Sequence, residues 1–475
     1  MEPKKIIQFV SKQMPKLAGV QFKELAKRHC ESPIYNPKWE EDKDLMEGCE
    51  IMKTFIEQSD LKGVQNLQIL SAEGKTPALF FTIDPTTEGE TFTILFYGHY
   101  DKIPFGDQWT KGDPYNPKSI DSRYYARGAA NGAYGLYSLV TSIRAIQAQT
   151  DVGKHPKIAV LIESSKESYS IDLNYHLQTI KDIVTPNLIV CIEGEVPDDP
   201  TTFWYTTSMK GEISFDLKVN VLTRGVHSGK NGGLAPDSFM IIQSLLKRIE
   251  TITDGKVSIP LCAIDLSEEE NAIGQGFIDI VGDGFYNNVP YIHGTKLLGD
   301  TPVDIYLNST FKPSLNIIGY EGIPTIENCS ATIRPYTTVR VKLSLPPRKD
   351  VNEAKEAIEK ALLADPPFKA SVKIENYKII QGGQLPMPDN VKAALNIVSQ
   401  ALESKDIGLQ GARVAYPFAL YLNATYPDAK MLVTGFGEMN ASNIRGINEN
   451  QQNGYWIKGM ASFALFIGAY ESYKN

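Results

Sequence analysis

The sequence predicts an α/β protein: a mostly parallel sheet with helices on both faces, interrupted by an inserted α+β lobe. Three observations predict it. Four short apolar runs, FTILFY (92–97), KIAVLI (157–162), NLIVCI (187–192) and KMLVTG (430–435), have the length and composition of strands buried on both faces. Helical patterns separate them, and strand alternating with helix implies a parallel sheet. The middle third changes rhythm to strict alternation, which is the mark of half-buried antiparallel strands.

In chain order, MEPKKIIQFVSKQMPKL carries Ile6, Ile7, Phe9 and Val10 broken by polar residues, which predicts an amphipathic helix and not the unbroken apolar core of a signal peptide. After Asn131, the residues Leu136, Leu139, Val140, Ile143 and Ile146 recur at three- and four-residue spacing and predict a helix with one buried face. ISFDLKVNVL (213–222) and VRVKLSL (339–345) alternate apolar and polar residues, with helices expected at 240–252 and 351–364 to cover one side of their sheet. The expected division is a discontinuous first domain, 1–211 and 386–475, holding an insert at 212–385. Ligands of parallel sheets sit beyond the carboxyl ends of the strands, and GHYD, ESSKES, EGE and GEMNASNIRG all fall there.

Composition narrows the function. A net charge of -8 over 475 residues, with no long Lys/Arg run, argues against nucleic acid and against an anionic membrane surface. No stretch reaches the roughly 18 apolar residues of a membrane span. The five cysteines are scattered without a C-x-x-C pair, so no disulfide framework or cysteine zinc site is indicated, and a reducing, cytoplasmic setting is expected. GQGFIDIVGDG lacks the spacing of a dinucleotide fingerprint, and no G-x-S-x-G elbow supports a serine mechanism beside Ser164 and Ser165.

GHYD (98–101) is followed, in order, by WTKGDPYNP (109–117), YYARGAANGAYG (124–135), ESSKES (163–168), FWYTTSMKG (203–211) and GVHSGKNGG (225–233). This series resembles the di-zinc peptidases and deacylases that include carnosinase, aminoacylase, bacterial glutamate carboxypeptidase and succinyl-diaminopimelate desuccinylase, over almost the whole chain. The resemblance implies a catalytic α/β domain interrupted by a lid and dimerisation domain. It also implies two zinc ions held by His, a bridging Asp, a Glu, a further acid and a final His, with a separate Glu as general base for the attacking water.

Carried over residue by residue, the site departs from that pattern. His99 matches the first ligand and Asp101 the acid that orients it. Asn131 stands where the bridging Asp belongs, Lys166 at the general-base position, and Glu167 at the neighbouring ligand position. Glu193 matches the next acidic ligand, with Glu195 as the alternative, and Arg445 stands in place of the final His. In the lid, His227 is retained while Ser344 replaces an arginine for the substrate carboxylate. Arg413, Val414 and Ala415 replace part of a glycine-rich loop.

A charge count ties these departures together. Four family carboxylates balance two dications; here two carboxylates, Glu167 and Glu193, meet two cations, Lys166 and Arg445. A cation about 4 Å from a carboxylate contributes roughly 4 kcal/mol gross at an effective dielectric near 20, before desolvation is subtracted. The leading expectation is therefore a pseudoenzyme with no cofactor, whose cleft offers Lys166, Arg445, Arg413 and His227 to a small anionic molecule or peptide, and which pairs as a homodimer through the lid. Three alternatives stand beside it. One is an active amide hydrolase with a single zinc at His99, Asn131 and Glu193. Another is a metal-free catalyst in which Arg445 lowers the pKa of Lys166. The third is a purely structural subunit, paired with itself or with an active relative through the lid; and in the plainest reading of the residues, Lys166 is an exposed loop lysine and Asn131 a helix N-cap.

Overall fold

The computed structural model describes residues 1–474 apart from 107, 150–152, 198–201, 254–255, 288, 404–406 and 439, and apart from the side chains of Ala18 and Glu195. Strands β1 (Val64–Ala72) and β2 (Lys75–Ile83) form a hairpin, and β3 (Thr93–His99), β4 (Lys157–Glu163) and β5 (Leu188–Ile192) follow. The middle of the chain supplies β6 (Gly211–Asn220), β7 (Ser314–Glu321), β8 (Tyr336–Leu345) and β9 (Ser371–Ile380), and β10 (Lys430–Thr434) returns to the first sheet.

The central sheet has the order β1-β2-β4-β3-β5-β10. Its strands β4, β3, β5 and β10 run parallel, while β2 joins β4 antiparallel and carries β1 on the edge. The sheet is thus mostly parallel, as predicted, with an antiparallel hairpin the sequence reading did not contain. Ala78–Ile83 is buried throughout, and a run buried on both faces shows no periodicity that would reveal its direction.

Both faces of the sheet are covered. Ile94, Phe96, Val160 and Val190 pack with helices Pro3–Lys16, Asp44–Glu57, Tyr134–Gln147 and Asn453–Gly468. Their neighbours Leu95, Tyr97, Leu161 and Cys191 point the other way, against Leu173–Ile180 and Pro417–Thr425. Strand alternation thus feeds two cores from one sheet. No helix among the described residues is long and apolar enough to cross a membrane.

The inserted sheet is antiparallel, in the order β7-β8-β6-β9. Phe215, Leu217, Val341 and Leu343 face helices Ser238–Leu246 and Val351–Leu363. Both helices start on an aspartate, Asp237 or Asp350, that accepts the first backbone N–H groups. The opposite face carries Glu212, Asp216, Arg340 and Lys342, paired in two cross-strand ion pairs. Within 212–385, the helices Glu268–Val281 and Pro302–Thr310 do not cover this sheet. Phe277 and Tyr306 stack at 4.1 Å and pack with Trp204 and Tyr455 in a separate apolar cluster, so that part of the insert packs against the first domain.

Candidate functional site

Three parallel strands bring the chemistry to one rim. His99 is the last residue of β3 and pairs in register with Glu163 at the end of β4. Glu193 follows β5, its N–H donating to the Thr434 carbonyl of β10 at 2.9 Å. Between them the turn after β4 delivers Lys166 and Glu167, whose backbone N–H groups donate to Asp101 Oδ1 at 3.2 Å and Oδ2 at 2.8 Å. Asp101 also accepts from His99 Nδ1 at 3.0 Å, so one carboxylate orients the imidazole and fixes the lysine-bearing turn.

The side chains form an alternating cluster. His99 Nε2 lies 3.2 Å from Glu193 Oε1. On the other oxygen, Lys166 Nζ lies 2.6 Å from Glu193 Oε2, and it stands 3.4 Å from Glu167 Oε1. Arg445 completes the row, with Nη2 2.7 Å from Glu167 Oε1 and Nε 3.0 Å from Oε2. The Lys166 side chain is 9% exposed and that of Glu193 1%, so Lys166 is no surface lysine.

Asn131 does not cap the helix after it. The N-cap of Tyr134–Gln147 is Ala133, without a side-chain hydrogen bond, and the Asn131 amide NH2 donates to Glu167 Oε1 at 3.0 Å. Its loop is held by Glu449, whose Oε1 accepts the N–H groups of Gly128, Ala130 and Asn131, each at 3.1 Å, while Arg127 Nη1 binds Oε2 at 2.7 Å. Gly132 follows with φ of 79°, and a Cβ there would lie 2.2 Å from His99 Nε2. Only glycine allows that backbone to close over the imidazole.

Electrostatics follow from the geometry. Burial alone would raise the Glu167 carboxyl, but Lys166 and Arg445 outweigh it and hold the group well below the usual carboxylate range. Burial works against the Lys166 ammonium; Glu193 and Glu167 prevail and hold it above the ordinary lysine value. Arg445 does act to lower the lysine, as expected, but Glu193 and Glu167 outweigh it together with burial, so the net shift is upward. For His99, burial lowers the pKa, and Glu193 with Asp101 carries it upward. Behind this row, Glu163 accepts hydroxyls from Tyr97, Ser165 and Ser170, and burial pushes its carboxyl up to about 7.

The row forms one side of a cleft of about 280 Å³ between the first domain and the inserted sheet. Asn131, Lys166, Glu167, Glu193, Arg445, Val414 and Ala415 line it. Arg413 is placed elsewhere, its guanidinium 6.0 Å from the Phe285 ring centroid. His227 is exposed on the lobe, its Nδ1 accepting from Gly229 N at 3.1 Å. The Glu195 side chain lies outside the described residues. The cleft also includes Tyr35, Tyr169, Glu212 and Lys342, which the sequence reading did not single out. The alternation of 339–345 was the available signal for Lys342, since it sets Lys342 and Ser344 on the face opposite the apolar residues.

A sheet whose rim gathers His99, Glu167 and Glu193 beneath an inserted lobe defines a peptidase-fold protein. The chain belongs to peptidase family M20/M25/M40, whose profile matches residues 95–468. Among curated relatives, it is 25% identical to a cysteinylglycine-S-conjugate dipeptidase of Corynebacterium striatum over 377 residues, covering 76% of this chain and 77% of that one. It is 24% identical to the human Beta-Ala-His dipeptidase over 57% of this chain and 53% of the relative. The solved structure of human carnosine dipeptidase 1 superposes with a TM-score of 0.77 at 19% identity, covering 98% of both chains. A di-peptidase from Saccharomyces cerevisiae, Dug1p, gives the same TM-score at 16% identity and 98% coverage of both chains.

Proposed function

We propose that this chain is a family member in which Lys166 and Arg445 serve as internal counter-ions where its relatives' fold would hold zinc. It acts as a binding or regulatory protein, not as a classical di-zinc amide hydrolase, and its cleft takes a small anionic molecule or peptide. The observation that carries this reading is the position of Lys166 Nζ, 2.6 Å from Glu193 and 3.4 Å from Glu167. An ammonium between two carboxylates supplies the positive charge a cation would otherwise bring.

The donor set does not fit a pair of zinc ions. Asn131 turns NH2, not oxygen, toward Glu167, and Gly132 closes against His99 Nε2. Among the described residues, no group of three or more His, Cys, Asp or Glu side chains is arranged to hold a metal. A general base also needs a lone pair at working pH. Lys166 is held protonated by its neighbours, so the position offers donors only. The same reading has a cytoplasmic homodimer paired through the lobe, which light scattering of the purified chain would test.

Elemental analysis before and after incubation with excess zinc tests the central statement, paired with assays on cysteinylglycine and β-Ala-His. Substoichiometric zinc without hydrolysis is expected. Tightly held zinc, with hydrolysis lost on His99→Ala, would overturn the reading in favour of a single-zinc enzyme.

A further inference from the structure

The wall of the cleft opposite the charged row carries its own polar pair, Glu212 and Lys342. Strand pairing sets Glu212 of β6 directly across from Ser344 of β8. Lys342 precedes Ser344 by two residues on the same face of the strand, and its Nζ lies 2.8 Å from Glu212 Oε2. The Glu212 side chain is 9% exposed, and its Oε1 is buried without a hydrogen-bond partner among the described residues. A buried carboxylate oxygen without a donor is unfavourable, and a fold keeps one where another group completes it.

The chemistry of the pair specifies that group. Oε1 calls for a cationic donor, while Lys342 has three N–H groups and spends one direction on Glu212. Acceptor and donors therefore stand side by side. A plain anion would face Oε1 with like charge, and a plain amine would face Lys342 with like charge; a head group with an ammonium and a carboxylate on one carbon satisfies both. Across the cleft, the part-exposed Arg445 guanidinium favours an acid at the far end of the ligand.

We propose that Glu212 and Lys342 dock the α-amino-acid head of a free acidic amino acid, with its ammonium on Glu212 Oε1, its α-carboxylate against Lys342 and its side-chain acid toward Arg445. This rests on the reading of the cleft as an anion-binding site and adds the ammonium requirement.

Calorimetric titration of the intact protein with L-aspartate and L-glutamate, against succinate and glutarate, isolates that requirement, because each pair differs by the ammonium alone. The amino acids should bind at least about tenfold more tightly than the diacids, a difference of about 1.4 kcal/mol. Glu212→Gln should abolish the preference, with the diacids binding at least as tightly as to the wild type because the like charge facing them is gone, and Lys342→Gln should weaken the amino acids; thermal melts of both variants verify folding. Diacids that bind as well as the amino acids, or a preference that survives in E212Q, would overturn the proposal and leave the anion reading standing. Silence from all four probes would count against both.

Discussion

Arg445 closes on Glu167 with two N–H groups, Nη2 at 2.7 Å from Oε1 and Nε at 3.0 Å from Oε2, in the fork geometry that matches a carboxylate. The loop holds this residue at φ of 63°, a left-handed conformation that costs a residue with a side chain on the order of 1 kcal/mol. Strain kept at such a contact means that the contact outweighs it. Arg445→Ala should therefore lower unfolding stability by about 2 kcal/mol, the Glu167 end being buried and the arginine end part-exposed. A double-mutant cycle with Glu167→Gln in urea measures the coupling. A coupling indistinguishable from zero would make the pair incidental.

Lys166 faces a harsher balance, because its removal leaves the buried Glu193 carboxylate beside the His99 imidazole without its ammonium partner. Breaking a buried pair by deleting one partner typically costs about 3–5 kcal/mol. Lys166→Met should fall in that range, and adding Glu193→Gln should recover much of the loss by removing the stranded charge. If the double variant were no more stable than the single one, the lysine would matter for packing and not for charge.

The parallel strands and the two half-buried lobe strands were legible because burial imposes a period or an unbroken apolar run on them. His99, Asp101, Glu167, Glu193 and their opposing cations were legible through motif order, which places residues along the chain next to fixed strand ends. Direction was not. Arg413 follows β9 and the 389–401 helix in sequence, yet its side chain turns to Phe285, a choice made by the helical part of the insert packing on the first domain. Glu212 and Lys342 meet only through the register of β6 with β8, which depends on turns more than a hundred residues apart. Asn131 read equally well as a cap or a ligand; the nearby Glu167 carboxylate decides that its NH2 is used.

Glu163 gives a pH signature. Its carboxyl moves from an ordinary value of 4.5 to about 7 in the folded chain, so folding takes up a proton between those limits. The stabilisation is complete below the unfolded value and is lost as pH rises through the folded one, a change of roughly 3 kcal/mol at most. His99, also raised, acts in the same sense, whereas depressed Glu167 contributes above the usual carboxylate range and loses its contribution in acid. Melting curves of the wild type between pH 5 and 8 should therefore decline more steeply than those of Glu163→Gln. Parallel curves would mean that Glu163 does not titrate in that window.

Glu449 is fully buried and accepts three N–H groups of the 128–131 loop besides Arg127, so it positions Asn131 without lining the cleft. Glu449→Ala would strand a buried guanidinium and three amides, with an expected cost of about 3–5 kcal/mol. Hydrogen exchange is the specific readout: Gly128, Ala130 and Asn131 amides should lose protection well before the strands of the central sheet. Uniform loss of protection would indicate general destabilisation instead.

If Lys166 and Arg445 stand in for metal charge, restoring the acidic and histidine ligands should restore metal binding. Asn131→Asp, Lys166→Glu and Arg445→His together would leave four carboxylates and two histidines around the row, with no lysine or arginine to balance them. Without metal, that set carries uncompensated like charges at close range, so the triple variant should be less stable than the wild type by several kcal/mol. Divalent zinc supplies the missing charge, and a ligand that binds only the folded state raises the melting temperature in proportion to its affinity. Zinc should therefore raise the triple variant's melting temperature and appear in elemental analysis, while the wild type responds to neither. Lys166→Glu alone should respond weakly, because Arg445 still holds Glu167 and Asn131 still offers NH2. A wild-type melting temperature that rises with zinc to the same extent would show that Lys166 yields its place to the metal, and would return His99 and Glu193 to the role of ligands.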